Sequence, residues 1–172
     1  MKKLKPHAVD WAQIERFLAS ADKKLASARK ILTFDEEACL QQAYEAMLKA
    51  SLGFMFSHGF RARSQPGHHI AIMDFVRSRI DKKYGGLMTV FDRLRRKRNM
   101  ALYDDTGFVS HHDAESALES ARDYLDVIRA DNRCPKAVKP TRKKRAISFS
   151  SKNSNLSAIS WNASRTDRVT QL

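Results

Sequence analysis

The sequence predicts an all-α protein: an up-and-down bundle of four to five helices, followed by a basic, disordered C-terminal tail. Three observations predict it. Apolar residues recur at alternating steps of three and four along most of the first 131 residues, which keeps one stripe of a helix apolar. Residues suited to capping stand just ahead of several of those stripes. No segment reads as a strand.

The first stripe is Trp11, Ile14, Leu18, Ala21, Leu25, Ala28 and Leu32. Asp10 is placed to accept from the first free backbone amides, and Pro6 lies upstream where it interrupts no ladder, so the helix is expected to start near Trp11. Thr33-Phe-Asp-Glu36 has the S/T-x-x-E form of a capping box, and Asp35, Glu36 and Glu37 bring negative charge to the positive end of the next helix dipole. That second helix carries Leu40, Tyr44, Met47, Leu48 and Met55 towards Gly59. Its small residues Ala43, Ala46, Ala50 and Gly53 predict a seam where another helix approaches closely.

Arg61-Ala-Arg-Ser-Gln-Pro66-Gly67 holds two breakers and no periodicity, and reads as a basic connection. Ile72, Met73, Val76, Ile80 and Tyr84 form a third stripe up to Gly85-Gly86, where a break is expected to join two helices. From Leu87 the next stripe steps through Phe91 and Leu94 to Ala101, and the position it skips is Arg98. After a turn at 104–107, Ser110 caps a last helix whose stripe is Ala114, Ala117, Ala121, Tyr124, Leu125 and Ile128, ending before Pro135.

At 172 residues the chain can bury one core, and 42% hydrophobic with 30% charged residues is the usage of a folded soluble protein. No apolar run approaches the roughly 18 to 20 residues of a membrane span. Polar Asp10, Gln13 and Glu15 follow the start, so a cytoplasmic location is expected. Cys39 and Cys134 are too few for a disulfide framework and lack zinc-type spacing; both read as thiols. His68-His69 and His111-His112 have no metal-motif spacing either, and no cofactor or metal is expected. Both pairs are candidates for proton exchange near neutral pH, with exposed histidines at helix starts the expected reading, and His111-His112 follows Arg98 closely enough to reach the same end of the bundle.

The net charge is +13, and the segment from Cys134 onward carries +8 of it, with nine basic residues against one acid. Pro135, Pro140, the run Arg142-Lys143-Lys144-Arg145 and seven serines between Ser148 and Ser164 mark that segment as disordered. The expected organisation is a helical bundle over 1–133 and a tail over 134–172. A pI near 10.0 favours RNA or another polyanion as partner, ahead of an anionic membrane surface. Arg142, Lys143, Lys144 and Arg145 are nucleic-acid-binding candidates.

Arg93-Leu-Arg-Arg-Lys-Arg98 packs five cations into six residues. Arg93, Arg96 and Lys97 point away from the apolar stripe and read as a solvated face. Arg98 occupies an apolar position, where a guanidinium is costly without partners, and is therefore expected at an interface or in a site. Asn99 and Tyr103 stand four residues apart on one helical face, with Arg95 one turn back. Arg98 matches a phosphate with its planar fork, while Arg95, Asn99 and Tyr103 run beside it, which outlines an anion site.

The pattern Ala43-Tyr-Glu-Ala-Met47 in a helix reaching Gly59, the loop closing on His68, and Arg98-Asn99-x3-Tyr103 ahead of a final amphipathic helix resemble the HEPN (higher eukaryotes and prokaryotes nucleotide-binding) domains. The resemblance covers roughly residues 10 to 131. It implies a HEPN-like bundle and a homodimer that pairs two Arg-x4-6-His motifs across a cleft as a metal-independent endoribonuclease of toxin or defence type. On that pattern Arg98 holds the scissile phosphate, Asn99 positions it, and Tyr103 stands where the acid/base is expected. Some toxin members place a Tyr two residues beyond the His, where this chain has Asp105. Tyr, with a reference pKa near 10, exchanges protons poorly at neutral pH. The alternative is therefore a non-catalytic HEPN dimer that binds nucleic acid or a nucleotidyltransferase-like partner; a toxin would imply an antitoxin.

Overall fold

The computed structural model describes residues 4–103 and 109–131, in which five helices and one short ribbon are formed. Helix α1 (Trp11–Ile31) begins where Asp10 Oδ1 accepts from the amides of Ala12 and Gln13 at 2.9 and 3.3 Å. Its stripe buries Ile14, Leu18, Ala21 and Ala28, with Trp11, Leu25 and Leu32 packed at the edge. The second helix, α2 (Glu36–Ser57), is capped by Asp35, whose carboxylate accepts from Ala38 at 2.8 Å. The capping box expected at Thr33 is thus displaced. The amides of Phe34 and Asp35 both close back on Ile31 O, so Thr33 is spent in the turn that ends α1.

Helix α2 packs against each of the other four helices. Its small residues form the expected seam: a Cβ at Gly53 would lie 3.4 Å from Leu18 and 3.5 Å from Phe17 of α1. Phe17 faces Gly53 while Lys24 pairs with Glu45, so α1 and α2 run antiparallel. Helix α5 (His111–Asp131) runs parallel to α2, since Cys39 meets Ala114 and Ser51 meets Tyr124. Helix α4 (Gly85–Tyr103) opposes α5, with Lys97 on Asp113 and Phe91 on Tyr124. These four alternate as an up-and-down bundle does.

Helix α3 (His68–Arg77) breaks the alternation, for it runs with α2: Tyr44 meets His69 and Phe54 meets Phe75. The chain makes that return through Gly59, which takes the left-handed φ of +77°, and strand β2 (Phe60–Ala62). Strand β2 pairs antiparallel with β1 (Leu4–Pro6), and His7 adds a bond to Gly59 O at 2.9 Å. So the expected connection from Arg61 starts as a strand. Three residues a side, one of them proline, are too few to show a period of two. The ribbon carries the start of α3 back beside the middle of α2, and this positions the site.

The third stripe ends earlier than expected, at Arg77, where Ser78 Oγ donates to Phe75 O. Ile80 is buried outside any helix, Lys82–Tyr84 form a 3₁₀ turn, and Gly85-Gly86 open α4 instead of closing its predecessor. Ser110 caps α5 as expected: its amide and hydroxyl both donate to Asp113 Oδ2, and it accepts from the Asp113 amide. No helix among the described residues is long and apolar enough to cross a membrane. The turn at 104–107, Cys134 and the tail from 134 lie outside the described residues.

Candidate functional site

Three helices contribute. From α2 comes Tyr44, only 1% exposed, with its ring centroid 5.5 Å from that of Phe91. Its hydroxyl needs a partner in so apolar a setting, and finds Nδ1 of His69 at 2.9 Å. Burial pushes the Tyr44 phenol up to about 12, against the opposing pull of Arg98 and Arg95, so it stays protonated at neutral pH. His69 moves the other way: burial first, then His68, Arg98 and Arg95, hold its imidazole below the usual range and keep it neutral. The first turn of α3 thus sets a neutral imidazole against a phenol.

From α4 comes Arg98. It follows Phe91 and Leu94 on the inward side, and its guanidinium carbon stands 5.6 Å from the Tyr44 ring centroid, a cation–π contact. Its Nε is buried and has no hydrogen-bond partner among the described residues. The carboxylate of α2 that feels its charge, Glu45, is already held by Lys24 at 2.6 Å and by Gln41. Partial burial works to raise the Glu45 carboxyl, but those two hydrogen bonds bring it below its usual range. A buried guanidinium donor without an acceptor is a cost that folding alone does not explain.

Beside these groups opens a cleft of about 340 Å³ between the start of α3 and α4, lined by His68, His69, Ile70, Arg95 and Asn99 with Pro66 and Gly67. Arg95 is steadied by Asp92, which accepts from its Nε at 3.0 Å. Gly67, at φ +79°, precedes α3 without any side-chain cap; the His68 amide turns back to Gln65 O at 3.1 Å, and no side-chain acceptor among the described residues serves the rest of the helix start. No carboxylate among the described residues lines this cleft. Two imidazoles, a guanidinium, an amide and a helix N-terminus converge there, a donor set suited to an anion.

The structure therefore brings Arg95 and Asn99 together as their four-residue spacing predicts, with Arg98 turned inward onto Tyr44. Tyr103 closes α4, but its side chain lies outside the described residues, as do Arg142, Lys143, Lys144 and Arg145. Arg93 and Lys97 belong to another recess, lined also by His112 and Asp113. His111 sits between Glu36 and Glu115, so the second histidine pair does not join Arg95 and Asn99. His68, His111 and His112 are exposed as expected; His69 is a correction, being partly buried and bonded. Sequence reasoning held His69 in a candidate pair but expected it exposed, and it missed the polar end of Tyr44. The available signal was a tyrosine in an apolar stripe, whose hydroxyl requires a partner. Compared with known protein families and with curated proteins, the chain matches none.

Proposed function

We propose that this chain is an RNA-directed protein of the HEPN type that holds an RNA phosphate in the cleft between α3 and α4. Arg98 carries the reading: a guanidinium in an apolar position, laid on a buried tyrosine, with a buried Nε awaiting an acceptor. Arg95, Asn99 and the uncapped start of α3 supply the remaining donors. Exposed Ile70 at the cleft and Met100 beside Asn99 offer apolar surface for a second copy of the chain, in keeping with a homodimer. An antitoxin or a nucleotidyltransferase-like protein is the corresponding partner in a toxin or defence setting.

His69 fills the chemical role that Tyr103 performs poorly, and makes a metal-independent endoribonuclease the favoured form of this reading. In the tautomer whose Nδ1–H donates to Tyr44, the Nε2 lone pair accepts the proton of a ribose 2′-hydroxyl. The 2′-oxygen bonds to phosphorus, the P–O5′ bond breaks, and the same proton passes to the leaving 5′-oxygen.

The test is binding and cleavage of single-stranded RNA in a chelator. Arg98→Ala is expected to weaken binding about 10-fold through the lost charge-assisted contacts, and His69→Gln to slow cleavage about 100-fold with binding retained. An intact chain that binds RNA but leaves it whole, and cleaves only as Tyr103→His, selects the non-catalytic binding module. If Arg98→Ala changes neither property, the site is misassigned.

A further inference from the structure

One recess adjoins the cleft, and a second adjoins the first. The first encloses about 220 Å³ between α1, α2, β2 and the start of α3; its floor is Phe17, Leu48, Leu52 and Phe56, its rim Arg61 and Arg63, and it shares His68 and His69 with the cleft. The second lies across Phe17, where Arg16 and Lys49 stand, the Lys49 ammonium 5.5 Å from the Phe17 ring centroid. Arg16 has only a loose pairing with Asp10, at 3.9 Å. Among the described residues, no Asp or Glu lines any of the three recesses. Across α4, by contrast, the recess beside Arg93 and Lys97 includes Asp113. An apolar floor between cationic rims, continuous with an anion cleft, asks for a ligand that alternates flat apolar groups with negative charges.

We infer that the groove floored by Phe17, Leu48, Leu52 and Phe56 takes an unpaired nucleobase of the RNA whose phosphate lies in the adjoining cleft, so that the substrate is single-stranded. This rests on the phosphate reading above. The floor offers a phosphate nothing, while a base gains by leaving water against aromatic and aliphatic side chains. Arg61 and Arg63 then meet the flanking phosphate, and Arg16 and Lys49 the next along the strand. A duplex keeps its bases stacked and has none to lend, so shape alone selects against it.

The experiment compares a mixed ten-nucleotide RNA with a strand of the same length and charge made wholly of abasic nucleotides, each titrated against the intact chain and followed by fluorescence anisotropy. The natural strand is expected to bind at least about 10-fold more tightly, as base stacking does elsewhere. Leu52→Gln should bring that ratio close to one, whereas Arg95→Ala should weaken both strands alike and leave the ratio standing. The comparison on the intact chain needs no substitution, so loss of fold in Leu52→Gln leaves the test in force. Equal binding of the two strands, or equal binding of single strand and hairpin duplex, overturns the inference while sparing the phosphate cleft. Failure of both strands to bind overturns both.

Discussion

Two tyrosines lean on the same phenylalanine. Tyr44 and Tyr124 hold their ring centroids 5.5 and 5.4 Å from that of Phe91, and both are almost wholly buried. Their hydroxyls end differently. Ser51 has one hydroxyl hydrogen and gives it to Met47 O at 2.8 Å, so Tyr124 must donate to Ser51 at 2.6 Å. That chain closes on a backbone carbonyl inside the bundle, and each of its two hydroxyls has a partner. The Tyr44 chain ends on His69, a partly exposed imidazole lining a basic cleft, with a guanidinium beside it that lacks an acceptor. Buried polarity that closes on backbone holds a fold together; buried polarity that ends at a cleft, short of an acceptor, is arranged for a ligand.

The largest expected effect separates the two tyrosines by stability. Tyr124→Ala empties the seam between α2 and α5 and removes the bond that Ser51 accepts, and is expected to cost about 3 to 5 kcal/mol in urea unfolding, as large aromatic truncations do. The fraction that remains folded should bind RNA normally. Tyr44→Phe removes one hydrogen bond whose other partner reaches solvent, and should stay within about 1 kcal/mol of the parent. It should nevertheless slow RNA cleavage, because His69 loses the group that orients it. A Tyr44→Phe protein that is badly destabilised and fully active would reverse the assignment of the two sites.

Arg98 sharpens the contrast with a smaller effect of opposite sign. A methionine keeps the length and apolar character of the Arg98 stem and removes the buried donor, so Arg98→Met is expected to raise stability by about 1 kcal/mol, as replacement of imperfectly satisfied buried charges often does. RNA affinity should fall in the same variant. A residue that costs the fold and serves a ligand behaves this way; an unfolding free energy lower than the parent's would show Arg98 to be a structural member of the Tyr44 cluster.

Much of this was legible in the chain. The stripes of α1 and α5 name their buried residues because each uses a single apolar face, and Gly53 marks its seam because only a hydrogen side chain lets Phe17 and Leu18 come so close. Arg98 stands out because a cation interrupts a stripe. What could not be read is the return of the chain through β2, since pairing between Leu4–Pro6 and Phe60–Ala62 joins residues far apart in sequence with no local period. The bond from His69 to Tyr44 was hidden for the same reason. A histidine beside another histidine at a helix start looks exposed until the ribbon delivers it to Tyr44.

The smallest effect tests whether the open cluster responds to mild acid and the closed one does not. Burial, His68 on α3, and Arg95 and Arg98 on α4 all disfavour the charged form of His69, while Tyr44 on α2 holds its Nδ1; the net result is a folded pKa below the ordinary 6.5. Between those two values the unfolded chain binds more protons than the folded one, so this contribution to stability is whole above the ordinary value and is lost as pH falls through the window. Tyr124 and Ser51 have nothing to titrate there. The urea midpoint should therefore drop further between about pH 7.5 and pH 5.5 in the parent than in His69→Gln, the range in which histidine alone among ordinary side chains changes charge. Inorganic phosphate should shrink the parent's loss, because an anion in the cleft favours the imidazolium. If the parent and His69→Gln lose stability equally with and without phosphate, His69 does not feel the cations of α4 and the cleft is not the coupled site described.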